Sequence, residues 1–445
     1  MINSRFAQSH RRRAFILSGM ALALTAGLLA GCSTSSGSEG SGSGSKTLTY
    51  WSMFKEGEPQ QKVLAASIED FTKSTGIKVD VEWQGRDVLK KLAPTLATGD
   101  VPDLVDQEAS AIKSSMVSLK QARDLTDAYK EPIPGEAGAT IGSVILSEYR
   151  PLMSSGKTLY MVPYEIISSA FWYDAAALPD LTNSPPTTWE QFTDLLKQRS
   201  AIHPPLALDG DIPVYNSYYT SWALIRELGA GGFNSLVADK TGKSWDNPKV
   251  LEAARKISEL VNDGDFIKGY DSSKWPANQQ KWATGAADFL LMGSWSPGET
   301  ASYQSAGFDA TSFQFPNMGG PGDDSVEVGT LGFAVPSQAK HYDAAKKFMA
   351  FVLTKKTMSA TANDSVVLSP RTGVDVPKAL SSAQAALEGA KSIHRPYDGV
   401  DADFPNYTTT VFSPINDQLM FGNITPAQWV SKLKTATINY WKQNG

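Results

Sequence analysis

Hydrophobic and polar positions along this chain follow two periods. Residues 47–51 read as a short strand, and Ile77, Val79, Val81 and Trp83 alternate with polar neighbours as a second. Between them, Leu64, Ile68 and Phe71 recur at helical spacing over residues 59–75, with Gly76 at the stop position. Residues 87–98, closed by Gly99, predict a second helix, and residues 102–106 a third strand. This βαβαβ succession implies a parallel sheet flanked by helices, where ligands gather at the carboxyl ends of strands. A second α/β stretch follows. Residues 170–173 predict a strand. Thr187 and Glu190 fit a capping box that opens a helix carrying Trp189, Phe192 and Leu195. Asn247-Pro248 starts a helix with an apolar stripe of Val250, Leu251, Ala254, Ile257 and Val261. Residues 287–292 and 330–336 read as buried strands, residues 341–360 as one helix, and Thr425-Pro426 opens a last helix reaching Trp441. There is no repeat of the length that builds solenoids or propellers.

The first residues follow neither period. Arg5, Arg11, Arg12 and Arg13 precede an apolar, charge-free run over residues 14–30, which ends at Gly31-Cys32. That is the order of an export signal, residues 1–31, with no stop-transfer pattern after it. Leu29-Ala30-Gly31-Cys32 resembles a bacterial lipobox, in which Cys32 becomes the acylated first residue of the mature chain. Arg12-Arg13-Ala14-Phe15-Ile16 resembles a twin-arginine signal, and a plain basic leader fits the same residues. After Cys32, residues 33–45 are Gly and Ser with one Glu. They form a flexible tether with a root-mean-square reach of roughly 20 Å.

Composition narrows the function. The chain has 445 residues, more than one ordinary domain holds. With 41 Lys+Arg against 46 Asp+Glu it lacks the basic excess of a nucleic-acid binder. A single Cys excludes an internal disulfide and a cysteine-rich metal site. The histidines are scattered, so no metal is expected. No serine nucleophile elbow, HExxH or Walker loop occurs. Paired carboxylates of a secreted glycoside hydrolase stay open as the alternative, since 46 acids ensure that some lie close together.

Several segments then carry a resemblance. After the lipobox and tether come Gly99-Asp100-Val101-Pro102-Asp103-Leu104, Gly156-Lys157-Thr158-Leu159-Tyr160-Met161-Val162-Pro163-Tyr164 and Phe171-Trp172-Tyr173-Asp174. Pro186-Thr187-Thr188-Trp189-Glu190-Gln191-Phe192 follows, then the run from Gly285 through Gly293-Ser294-Trp295, the Gly-rich residues 318–322 and Ser369-Pro370-Arg371-Thr372-Gly373. In this order they resemble family 1 of the extracellular solute-binding proteins, the maltodextrin-binding-like subunits of ATP-driven carbohydrate importers. The resemblance implies an α/β, two-lobed periplasmic-binding-protein fold of type II. Each lobe is a mixed, mostly parallel sheet flanked by helices. Residues 46–164 and 334–380 would form one lobe, residues 165–333 and 381–445 the other, with crossings near Glu165, Gly332 and Leu380. It also implies a carbohydrate ligand, two transmembrane permease subunits and through them an ATPase. The protein would be a monomer, with no cofactor, at the outer face of the cytoplasmic membrane. A non-sugar solute such as a glycerophosphodiester is a further alternative.

Sugar binding needs aromatic planes for C–H faces and planar acceptors and donors for hydroxyls. The chain has 11 Trp, 15 Tyr and 18 Phe. Trp51, Phe54 and Glu56 follow the first strand, Gln107 and Glu108 follow the third, and Glu165 sits at an expected crossing. The resemblance adds Trp295, at the place of a ligand-stacking Trp, and Tyr218, Tyr219 and Trp222 in an aromatic contact region. Tyr218 and Trp222, four apart on a helix, form one platform in this reading, although Leu224, Ile225 and Leu228 suit core packing for Trp222 equally. Arg371 matches a position near the cleft, where an ion pair is the more usual work of a lone Arg. Tyr407 matches a tail region that supplies a further aromatic. Trp275 and Trp282 are expected to complete the apolar face of the helix they flank.

Overall fold

The computed structural model describes residues 47–444. The export signal, Cys32 and the tether lie outside the described residues. Eleven strands matter here, in chain order: β1 Thr47–Ser52, β2 Lys78–Trp83, β3 Leu104–Glu108, β4 Val162–Ile167, β5 Ser169–Asp174, β6 Leu206–Ala207, β7 Phe289–Gly293, β8 Ala310–Phe313, β9 Ser325–Glu327, β10 Gly329–Ala334 and β11 Ser392–His394. Two sheets result. The first has the order β2-β1-β3-β10-β4, the second β8-β5-β7-β6. β1 runs parallel to β2 and β3, whereas β10 is antiparallel to both its neighbours. Each sheet with its helices makes one of two α/β lobes.

The connections between lobes are short. β4 and β5 belong to different sheets and are separated by Ser168 alone. The chain returns from β8 in the second sheet to β10 in the first, and β9 pairs in parallel with β11 on the way. It leaves the first lobe again between Arg371, bridged to Ile145, and Lys378, whose ammonium lies 2.8 Å from Asp309 beside β8.

Helix boundaries follow local chemistry. α1, Pro59–Thr75, starts with Pro at its first position and ends at Gly76, whose φ of 70° is the left-handed stop. α2 is Val88–Thr98. α3, Trp189–Ser200, is capped one residue later than the sequence suggests. Thr188 Oγ1 accepts from the Gln191 N–H and the Gln191 side chain reaches back. The shift places Trp189 in the first turn, where it is buried and its backbone N–H donates to Asn317 O at 2.8 Å. α4 is Pro213–Leu228, and α5, Pro248–Asn262, has Asn247 as its cap. The expected single helix over residues 341–360 is two: α6, Tyr342–Val352, and α7, Lys355–Ser365, because Thr354 turns extended and caps the second. α8 is Ser413–Met420 and α9 is Pro426–Asn444. Among the described residues no helix is long and apolar enough to cross a membrane.

α4 runs through the middle of its lobe, buried at every position from Asn216 to Glu227. Its Arg226 is 1% exposed and lies 4.7 Å over the Trp222 ring. The guanidinium donates to the carbonyls of Phe315, Gly322, Asp323 and Ser325. This gathers the Gly-rich residues onto the helix. A Cβ on Gly322 would stand 1.8 Å from Ile225 O, so the approach needs glycine.

Candidate functional site

The floor of the site is set by Asp106 on β3, which is fully buried. It accepts from Tyr50 Oη at 2.5 Å, Ser52 Oγ at 3.2 Å, the Met53 N–H at 2.6 Å and Tyr164 Oη at 2.8 Å. Four donors on one carboxylate fix the ends of β1 and β4 against β3 and hold the turn that carries Phe54. Arg86, just past β2, lies 5.2 Å over the Phe54 ring and donates to Met53 O at 2.7 Å and Glu58 Oε2 at 2.9 Å. Gln107 Nε2 donates to Arg86 O at 3.2 Å. Phe54, Arg86 and Gln107 thus cluster at the carboxyl ends of the first sheet.

The second lobe presents its strand ends through another lattice. After β6, Asp209 accepts from the N–H groups of Asn278 and Gln279 at 2.9 and 3.0 Å, and Gln279 Nε2 donates to Glu299 Oε2 at 2.8 Å beyond β7. Trp295, half-buried, covers Gly293, where a Cβ would meet the indole at 2.0 Å. On α4, Tyr215 stacks on Tyr218 with centroids 6.2 Å apart and planes 14° from parallel. Tyr218 stacks in turn on Tyr397, at 5.6 Å and 6°. The three rings form one row.

Charges on the two faces act on one another. Burial, then the Glu299 and Asp209 carboxylates, raise the Tyr215 hydroxyl, and the Arg86 guanidinium of the other lobe acts against them. Protein around Glu299 raises its carboxyl, although part of it reaches solvent, and Gln279 and Arg86 oppose the rise. Further in, burial chiefly, with the Glu327 and Glu108 carboxylates among the lesser causes, pushes Tyr218 well up. Arg86 therefore lies within electrostatic reach of Tyr215 and Glu299, and Glu108 within reach of Tyr218 and Glu327.

Three carboxyls here share an unusual state. Glu108 caps the short helix Ala109–Ile112 through Oε2, which accepts from the Ser110 and Ala111 N–H groups at 2.8 and 3.2 Å. Glu327 Oε1 accepts from Ser169 Oγ at 2.6 Å. Yet Glu108 Oε1, Glu165 Oε2 and Glu327 Oε2 are buried with no partner. Burial raises Glu108 to about 7, Glu165 to about 8 and Glu327 to about 7. A buried acceptor without a partner costs free energy unless a donor arrives.

Of the residues singled out from sequence, Phe54, Gln107, Glu108, Glu165, Tyr218 and Trp295 lie at these facing ends. Trp51 is half-buried on β1 and packs against the core, while Glu56 stands exposed on the following turn. Four candidates are occupied elsewhere. Tyr219 is buried against Phe171 and Phe266. Trp222 stacks on Phe315 at 5.7 Å and donates to Ser169 Oγ at 2.8 Å. Sharing a helix face with Tyr218 puts it one turn deeper, in the core. Arg371 is buried in an ion pair with Glu136 and a bond to Leu353 O, within the first lobe. Tyr407 is fully buried against α9, its hydroxyl 2.5 Å from Thr437 Oγ1. Trp282 is buried as expected, but Trp275 is 44% exposed, because it precedes the helix in a loop held away from the core. Sequence reasoning missed Tyr397, Tyr215 and Arg86. The Asp398-Gly399 turn signal beside Tyr397 and the Gly85 break before Arg86 were the available signs. Among the described residues no group of three or more His, Cys, Asp and Glu side chains is placed to hold a metal ion.

Residues 66–388 match the model of the family described as bacterial extracellular solute-binding protein. The multiple sugar-binding protein of Streptococcus mutans is 22% identical over 339 residues, 75% of this chain and 77% of that protein. The diacetylchitobiose binding protein NgcE of Streptomyces coelicolor is 21% identical over 290 residues, 63% of this chain and 60% of its own length. Among solved structures, a chitin oligosaccharide binding protein superposes with a TM-score of 0.75 at 19% identity, over 88% of this chain and 98% of its own. That last likeness bears on the fold alone.

Proposed function

This chain belongs to the bacterial extracellular solute-binding proteins, and we propose that within them it captures an oligosaccharide between its two lobes and delivers it to the permease of an ATP-driven importer. The observation that supports a sugar is the row of Tyr215, Tyr218 and Tyr397 facing carboxyl oxygens that lack donors. Flat aromatic faces suit the C–H faces of pyranose rings, and unpartnered acceptors suit hydroxyls. The names of the two relatives, one a sugar-binding and one a diacetylchitobiose-binding protein, point the same way. A ligand touching Arg86 and Glu108 on one side and the tyrosine row on the other binds the closed arrangement better than the open one. It thereby draws the lobes together. Acylation at Cys32 and the tether of residues 33–45 would hold this receptor at the outer face of the membrane, beside two permease subunits. The protein acts on its ligand by binding and not by cleavage.

A thermal-shift panel of neutral oligosaccharides, glycerophosphodiesters and short peptides tests the reading, because a ligand raises the melting temperature by mass action. At least one oligosaccharide series should raise it, with no reducing ends released on incubation. A shift with glycerophosphodiesters or peptides alone, or release of reducing ends, overturns the reading.

A further inference from the structure

The tyrosine row opens outward. Tyr397 and Tyr218 are 5% and 6% exposed, Tyr215 is half-buried, and the residue before it, Val214, is 38% exposed. The loop next to that end of α4 carries Trp275. An indole left in water forgoes the burial that tryptophan usually obtains, and here the backbone that carries it is held in place. The Trp275 backbone N–H donates to Asp211 Oδ1 at 2.9 Å, and the Gly210 backbone N–H donates to Ser273 Oγ at 3.0 Å. A Cβ on Gly210 would stand 2.4 Å from Tyr270 O, so the two loops touch. The helix that follows Trp275 is tied through Asp209 and Gln279 to Glu299. The backbone that presents the indole is therefore tied into the same lattice that positions the ligand-facing side chains of this lobe.

We infer that Trp275 is an outer ligand platform, stacking on a pyranose ring of a glycan whose inner rings lie on the tyrosine row, and that it sets the preference for chain length. The inference rests on the carbohydrate reading above. Burying one exposed aromatic face against a sugar is worth on the order of tenfold in affinity.

Calorimetric titration of the wild type, Trp275→Ala and Trp275→Phe with malto-, cello-, xylo- and chitooligosaccharides of graded length tests it. On the series that binds, Trp275→Ala should lose about tenfold on the longer members and nothing on the shortest, while Trp275→Phe keeps most of the affinity. Because the side chain is exposed, the melting temperature of the ligand-free variants should match the wild type. Equal loss at every length, or no loss at any, overturns the platform while leaving the carbohydrate reading intact. A wild type that binds no member of any series overturns both.

Discussion

Tyr218 and Tyr397 stack with their planes 6° from parallel, although one comes from a buried helix and the other from the tail. The tail achieves this with left-handed backbone at both Tyr397, φ 50°, and Asp398, φ 56°. Each such residue costs roughly 1–3 kcal/mol, and strain of this kind persists where the surroundings fix it. Asp398 does the fixing. Its carboxylate accepts from the Gly231 N–H at 2.7 Å and the Asn234 N–H at 3.2 Å.

Replacing the inner ring tests whether the row is the binding surface. Tyr397→Ala should weaken the sugar about 10-fold to 100-fold at all chain lengths, the loss of one aromatic partner and its packing. Tyr397→Phe keeps the stack and loses only the hydroxyl bond to Val214 O. It should cost about 1 kcal/mol in urea unfolding and little affinity. Unchanged sugar affinity in the Ala variant would remove the row from the site.

The three raised carboxyls make stability depend on pH. Free glutamate ionises near 4.5, whereas Glu108, Glu327 and Glu165 in the fold ionise near 7, 7 and 8. Between these values the folded chain holds protons that the unfolded chain has released, so stability falls as pH rises. Asp103, whose carboxyl is lowered, titrates below that window. The melting temperature of the ligand-free protein should decline from about pH 5 to pH 8, and Glu165→Gln should make the decline shallower. A sugar hydroxyl donating to these oxygens favours the ionised form. Affinity should therefore rise over the same range, and a flat calorimetric profile would count against the hydroxyl contacts.

Arg226 organises backbone and not ligand. Its removal takes the buried guanidinium donor from the carbonyls of Phe315 and Ser325 and leaves Gly322 O with the Ser325 N–H and Oγ alone. Arg226→Met should destabilise the protein by about 3–5 kcal/mol in chemical unfolding. The Gly-rich residues should lose protection from hydrogen exchange first.

Acylation at Cys32 has a simple readout, since the chain contains one cysteine. Thiol titration of the membrane-extracted protein should give zero, and Cys32→Ser should release the protein into the soluble fraction. One free thiol per chain in membrane-extracted protein would eliminate the anchor.

Much of the fold was legible because its punctuation is local. Pro59 and Gly76 bound one helix, and Asn247-Pro248 opens another, so periodicity and caps agree there. The break at Thr354 was not legible, since the residues on either side propagate a helix equally well and only the tertiary contacts of α6 and α7 select the cap. At the candidate site, strand-end logic pointed to Glu108 and Phe54 and family likeness to Trp295, and the fold puts all three at or just past strand ends. Family likeness could not separate Tyr218 from Trp222, because depth within a buried helix does not alter side-chain spacing. Tyr397 was hidden for a different reason. Its place depends on two strained dihedrals held by a distant helix end, and neither leaves a pattern in neighbouring residue types.

Ser168 is the only residue between β4 of one sheet and β5 of the other. Its N–H donates to Ser294 Oγ at 3.3 Å, and Ser294 is bonded in sequence to Trp295. One of the three crossings between the lobes is thus tied to the neighbour of a half-buried aromatic residue just past β7. Trp295 is one peptide unit and one hydrogen bond away from a crossing between the lobes, so whatever fixes that indole also restrains the chain where it changes sheets.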